Sequence, residues 1–264
     1  MRIASAGQAV FAATVIALGI LAMIKGHYTV VWQPLPKGVP AREMLIDFCA
    51  LITIACGAGL LWHRTAAAAA RLLFVYFLFW LLVVRVPGLF HSLGVDMYWA
   101  ACRDAVMVAA AWVIYTWLAD DWDRQRLGPL VGDRGVRIAE GLYGAALVPF
   151  GVAHFQFVPR TAGLIPPWLP AHVALTYFTG VCFIVAGLAI LVGVCARLAA
   201  ALSALEMGLF MLLVWIPALA TRSLNAFEWG ETVTTIVLTA AAWVVADSYA
   251  GVSWLAVGRV RRDR

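Results

Sequence analysis

Glu206 is an acidic residue placed where acids are rarest. It lies within Ser203-Ala204-Leu205-Glu206-Met207-Gly208-Leu209-Phe210, in the middle of a long apolar run. If that run crosses a membrane, a carboxylate at such depth costs several kcal/mol on most scales. Two readings are open. Glu206 could carry a proton or hydrogen-bond the head of a bound quinone or other small ligand. It could equally be protonated, or bonded to a neighbouring helix, and only hold the bundle together. Tyr76, which an internal repeat sets against Glu206, can also donate or accept.

His154 closes another apolar run, as His27 does in the first half, and His91 and His172 fall at the same end of their segments. Imidazole is the commonest metal ligand and titrates near neutral pH. Four of five histidines on one side could therefore hold haem or metal, contact a ligand or move a proton. They lack H-x-x-H or H-x-x-x-H spacing and close Cys or acidic companions, which disfavours haem or metal against a ligand or proton contact. Glu228 and Glu231, three apart, share a helix face. They either complement the dipole of a first helical turn or join His154 and His172 around a pocket. Arg160 could offer charge to an anionic substrate. Arg103 and Asp104 are adjacent, so they point to different faces and each needs a partner on another helix. Glu140 and Asp247 fall near the opposite surface, where snorkelling is the cheap solution. The cysteines, Cys49, Cys56, Cys102, Cys182 and Cys195, make no C-x-x-C pair and read as small hydrophobes. Phosphate-loop, nucleotide, nucleophile-elbow and H-E-x-x-H motifs are absent, so soluble-type catalysis has no support and whether the chain is an enzyme stays open.

The elements that must position these groups follow from composition. The chain has 264 residues, 64% hydrophobic and 12% charged, whereas soluble domains are about half apolar and about a quarter charged. Eight stretches, near 8–25, 43–62, 67–86, 97–118, 136–157, 171–193, 197–218 and 229–248, approach the roughly 20 residues that span a bilayer. Without water to satisfy free backbone groups, such spans must be helices. The expected fold is all-α and polytopic, with about eight transmembrane helices arranged as two parallel four-helix repeats. The first apolar run lacks a small-residue cleavage site before Lys25 and reads as a retained helix.

The repeat is visible without gaps. Pro40 aligns with Pro170 and Pro87 with Pro217, and Ala41, Leu45, Phe48, Ile54, Gly57, Leu61, Leu72, Leu82, Val84 and Leu89 meet identical residues at the same offset. This divides the chain into a first repeat (1–118), a polar linker (119–135), a second repeat (136–248) and a basic tail (249–264). Arginines concentrate in the linker, the short turns at that end and the tail, which places both termini in the cytoplasm. The net charge of +5 is thereby a topology signal that also attracts anionic lipid, and no nucleic-acid partner is implied. Proline-rich segments 25–42 and 158–170 read as flaps on the outer face, with Trp32 and Trp168 at headgroup level.

The run Ala153-His154-Phe155-Gln156-Phe157-Val158-Pro159, then Leu164-Ile165-Pro166-Pro167-Trp168-Leu169-Pro170, Tyr177-Phe178-Thr179-Gly180, Ala186-Gly187 and Ala196-Arg197-Leu198-Ala199-Ala200 resembles the DoxX-like family of bacterial and archaeal membrane proteins, built on a four-helix unit. The resemblance covers about residues 136–250, and 8–118 through the repeat. The family name comes from a membrane subunit of a thiosulfate:quinone oxidoreductase. The resemblance thus implies an inner-membrane protein that supports quinone-linked redox chemistry or a soluble oxidoreductase or respiratory subunit. His154, Pro159, Trp168 and Arg197 carry the family pattern. The site expected is Glu206 as the buried polar group, with His154, Arg160, Trp168, Glu228 and Glu231 around the second flap and Tyr76 as the first-half counterpart. A non-enzymatic scaffold or assembly factor, working through the linker and tail, and a small lipid or metabolite carrier are the alternatives. Few mid-membrane breaks are expected, which counts against the carrier.

Overall fold

The computed structural model describes residues 5–25, 40–91, 95–221, 223–224 and 226–258. The first flap, with His27 and Trp32, and the arginine-rich end 259–264 lie outside the described residues. In chain order the helices are α1 (Ala6–Lys25), α2 (Arg42–Leu61), α3 (Ala66–Phe79), α4 (Val86–His91), α5 (Val95–Leu118), α6 (Asp121–Val131), α7 (Asp133–Gln156), α8 (Val158–Leu164), α9 (His172–Val192), α10 (Ala196–Phe210), α11 (Ile216–Thr221) and α12 (Ala226–Ser248). No strand occurs among the described residues. Eight spans are long and apolar enough to cross a membrane, counting α3–α4 and α10–α11 as continuous rods.

Those two rods run on through Pro87 and Pro217, where the sequence reading ends them. A π-helical turn, Trp80–Arg85 in one and Met211–Trp215 in the other, absorbs the disruption. The Val86 N–H reaches the Leu81 carbonyl and the Ile216 N–H reaches the Met211 carbonyl, each five residues back. Such wide turns are uncommon and are frequent at functional sites. Both rods stay helical throughout, so the irregularities are two wide turns and not unwound breaks. Another equivalent pair is Ala41 and Ala171, both left-handed at φ 55°, each turning the chain from a proline into α2 or α9.

The long helices form a closed ring: α1 packs on α2, α2 on α3, α3 on α5, α5 on α7, α7 on α9, α9 on α10, α10 on α12, and α12 returns to α1. α5 and α12 also meet across the middle. The fourth long helix of each half therefore packs on the first helix of the other half. Close approach between first and second helices uses Gly57 and Gly187. A Cβ on Gly57 would lie 2.6 Å from Ile16 Cγ1 of α1, and one on Gly187 2.6 Å from the Gly144 carbonyl oxygen of α7. Membrane helices associate by such packing because lipid is as apolar as their own side chains.

At the end of the bundle that carries α6, the linker end, the polar stretch is more ordered than its composition implies. Asp120 and Asp123 form a reciprocal capping box at the start of α6. Asp123 is fully buried, accepting from the Tyr115 hydroxyl at 2.6 Å and pairing with Arg71 Nε at 2.8 Å. Residues 249–258 are likewise no free tail. The Cys195 N–H bonds the Ala256 carbonyl at 2.8 Å, Gly258 N–H bonds Gly193 at 2.9 Å, and Arg197 donates to the Val252 carbonyl at 2.6 Å while covering the Trp254 ring. Glu140 does not snorkel: it is buried and accepts from Ser248 Oγ at 2.6 Å. Arg103 and Asp104 do find partners on other elements, Glu231 at 3.3 Å and Arg85 at 2.6 Å.

Candidate functional site

A cavity of about 760 Å³ lies inside the second half. Its walls come from α7, α9, α10 and α12, with Thr161 and Leu164 of α8 at the opposite, flap end and Trp99 contributed by α5 from the first half. The π-helical turn after α10 carries Trp215 into the wall, where it is buried. At the equivalent place in the first half stands Arg85, buried and paired with the buried Asp104.

The wall is overwhelmingly apolar, so its few polar atoms define what it can bind. Most of them are already engaged. Thr179 and Thr235 donate to carbonyls in their own helices at 3.0 and 2.8 Å, and Ser203 shares a hydrogen bond of 2.9 Å with the fully buried Tyr143 hydroxyl. Two are not: Glu206 Oε1 and Thr234 Oγ1 are buried and have no hydrogen-bond partner among the described residues. A buried polar atom without a partner forfeits its hydration for no return, so each such atom calls for an explanation.

His154 lines the same cavity, with its ring stacked on Phe210 at 6.1 Å and tilted against Phe183 at 5.5 Å. Its Nδ1 lies 2.8 Å from the Phe150 carbonyl. A carbonyl only accepts, so Nδ1 carries the proton and Nε2 is the nitrogen left for a ligand, an acceptor in the neutral ring. Towards the flap end, Glu231 also lines the cavity and holds Arg103, whose guanidinium lies 5.6 Å from the Trp99 ring centre. Trp99 in turn stacks on Phe157.

The other expected site residues fall elsewhere. Arg160 is exposed on α8 over the Phe157 ring, and Trp168 is exposed and forms no part of the wall. Glu228 is buried outside the wall, its carbonyl accepting from Thr232. Tyr76 belongs to the first half, beside Phe77 and Trp80. His172 opens a separate shallow depression with Val173 and Tyr177, so it does not join His154. Among the described residues no group of three His, Cys, Asp or Glu side chains is placed to hold a metal ion. Sequence reasoning missed Thr234, Trp99 and Trp215. The one available signal was Trp215, which stands where the first repeat has Arg85.

Eight membrane-length helices among the described residues define an integral, multi-pass, α-helical membrane protein in contact with lipid. The chain matches no protein-family model, no curated protein and no solved structure.

Proposed function

We propose that this is a DoxX-like protein that holds a quinone headgroup in the cavity of its second half, supporting quinone-linked redox chemistry by itself or for an associated oxidoreductase or respiratory subunit. The carrying observation is an apolar cavity of about 760 Å³ whose wall bears two buried, unpartnered polar atoms, Glu206 Oε1 and Thr234 Oγ1. Pockets of roughly 300–1,000 Å³ with a few placed polar groups are typical of small-molecule sites. A quinone head presents two carbonyl acceptors. The Thr234 hydroxyl and a protonated Glu206 can donate to them, and His154 Nε2 can accept from the hydroxyl of the reduced form. When bound, a quinone carries two electrons and two protons; the chain's own part is to orient the head, exclude water and hold a proton at the Glu206 carboxyl.

The two-repeat division of the chain and a bacterial or archaeal inner-membrane location with both termini cytoplasmic belong to this proposal, the location on the arginine excess at the linker end. A carrier for a small lipid is the second reading, favoured by the paired π-helical turns, which give the third rod of each half a place to bend. The direct test is titration of a benzoquinone bearing a ten-carbon chain into the detergent-purified protein. Saturable binding is expected, weakened about tenfold, or about 1.4 kcal/mol, by Glu206→Leu or Thr234→Val. Unaltered binding in both variants would remove the cavity from the proposal.

A further inference from the structure

We infer that the cavity is entered sideways from the bilayer, through the seam between α9 and α10, by an amphiphile whose hydrogen-bonding head passes inward while its chain stays in the seam. The inference rests on the cavity being a ligand site and not on the ligand being a quinone. Val181 and Val185 on α9 and Leu202, Leu205 and Leu209 on α10 line the cavity and are also 40–59% exposed. All five lie within membrane-spanning segments, so the surface they share faces lipid. Wall residues from the other helices are not shared in this way: Phe150 of α7 is 4% exposed, and Thr234 and Leu238 of α12 are 3% and 7% exposed.

Ala186, Ala189 and Ala199 on the same two helices also line the cavity, and their small side chains leave room between α9 and α10. The flap end is obstructed differently, by the Arg103–Glu231 ion pair and the Trp99–Phe157 stack. A water-soluble ligand has no polar path through the seam, whereas a chain-bearing molecule already dissolved among acyl chains crosses it without leaving apolar surroundings. The unpartnered Glu206 and Thr234 atoms then select for a head that can hydrogen-bond.

The test uses the full chain in vesicles of phosphatidylethanolamine and phosphatidylglycerol containing, in separate preparations, a lipid with a diazirine in its hydrogen-bonding head and a phospholipid with a diazirine near the end of one acyl chain. After illumination, adducts are assigned to single residues by mass spectrometry. Head-label adducts are expected on the interior residues Thr234 and Leu238, and chain-label adducts on exposed Val185 and Leu205. Val185→Trp combined with Leu205→Trp enlarges two side chains shared by the seam and the cavity wall, and is expected to abolish the interior head-label adducts while sparing chain-label adducts on the other exposed positions of α9 and α10. If that variant fails to fold, the wild-type map decides alone. Adducts confined to exposed faces, or interior adducts undiminished in the folded variant, would overturn the inference. So would an absence of chain-label adducts from Val185 and Leu205 while other lipid-facing positions are labelled, which would assign the seam to a second copy. Interior adducts in a protein that binds no quinone would leave the portal standing and dismiss only the quinone.

Discussion

At the scale of single residues, the stability cost of Glu206 and the use proposed for it are separable. Its buried Oε1 meets no partner, so the side chain contributes little to holding the bundle. Glu206→Leu is therefore expected to leave the melting temperature in detergent unchanged or raised, although it weakens ligand binding; a large loss of stability would mark Glu206 as a structural residue instead. Asp104→Ala should behave in the opposite way. The Asp104 carboxylate meets the buried Arg85 at 2.6 Å, and removing one partner of such a pair typically costs about 3–5 kcal/mol. Thermal unfolding should show that loss, with most of it recovered when Arg85→Met is added. Both Glu206 and the need of Arg103 and Asp104 for remote partners were legible, because depth and adjacency are properties of the sequence. Thr234 was not. A helical threonine ordinarily bonds the carbonyl four residues back, as Thr232, Thr235 and Thr239 do, and nothing in the sequence singles out the one that does not.

At the scale of elements, α7 and α9 touch through glycine. A methyl at Gly187 would sit 2.6 Å from a main-chain oxygen that cannot swing away, so Gly187→Ala is expected to cost about 1–3 kcal/mol by forcing the helices apart, read as a lowered melting temperature. The α6 cap makes a pH-dependent prediction. Backbone N–H donation from Asp123, and then the Asp123 side-chain contact and the Arg71 charge, hold the Asp120 carboxyl below its ordinary range. A depressed carboxylate pKa contributes stability above the unfolded value, and that contribution is lost as pH falls through the folded value. The Asp123 amide should thus stay protected from hydrogen exchange at neutral pH and open at acid pH, after correction for intrinsic rates, while Asp120→Ala should be open throughout. Gly57 and Gly187 were visible as a matched pair, because the repeat sets them at the same offset. The π-helical turns were not, since a proline near a span end reads as a stop, and the wide turn that accommodates it leaves no residue signature. The fold-back of 249–258 escaped for a related reason: it is made by backbone groups and by Arg197, not by an apolar pattern.

At the scale of the whole molecule, the count of spans was written in apolar length, and the all-helical architecture followed from it. Their neighbours were not, because helices of similar apolarity gain little by choosing one another over lipid. The reciprocal packing of α5 on α7 and α12 on α1 is what brings Trp99 and Arg103 of the first half to a cavity otherwise built by the second. The most direct measurement is on the intact protein purified in mild detergent: an absorption spectrum before and after reduction, with mass spectrometry of the small molecules extracted from it. A quinone at close to one per chain, with the ultraviolet change of its reduction, is the expected result. A folded protein that releases phospholipid and nothing else, and that takes up no added quinone, would contradict the proposed function.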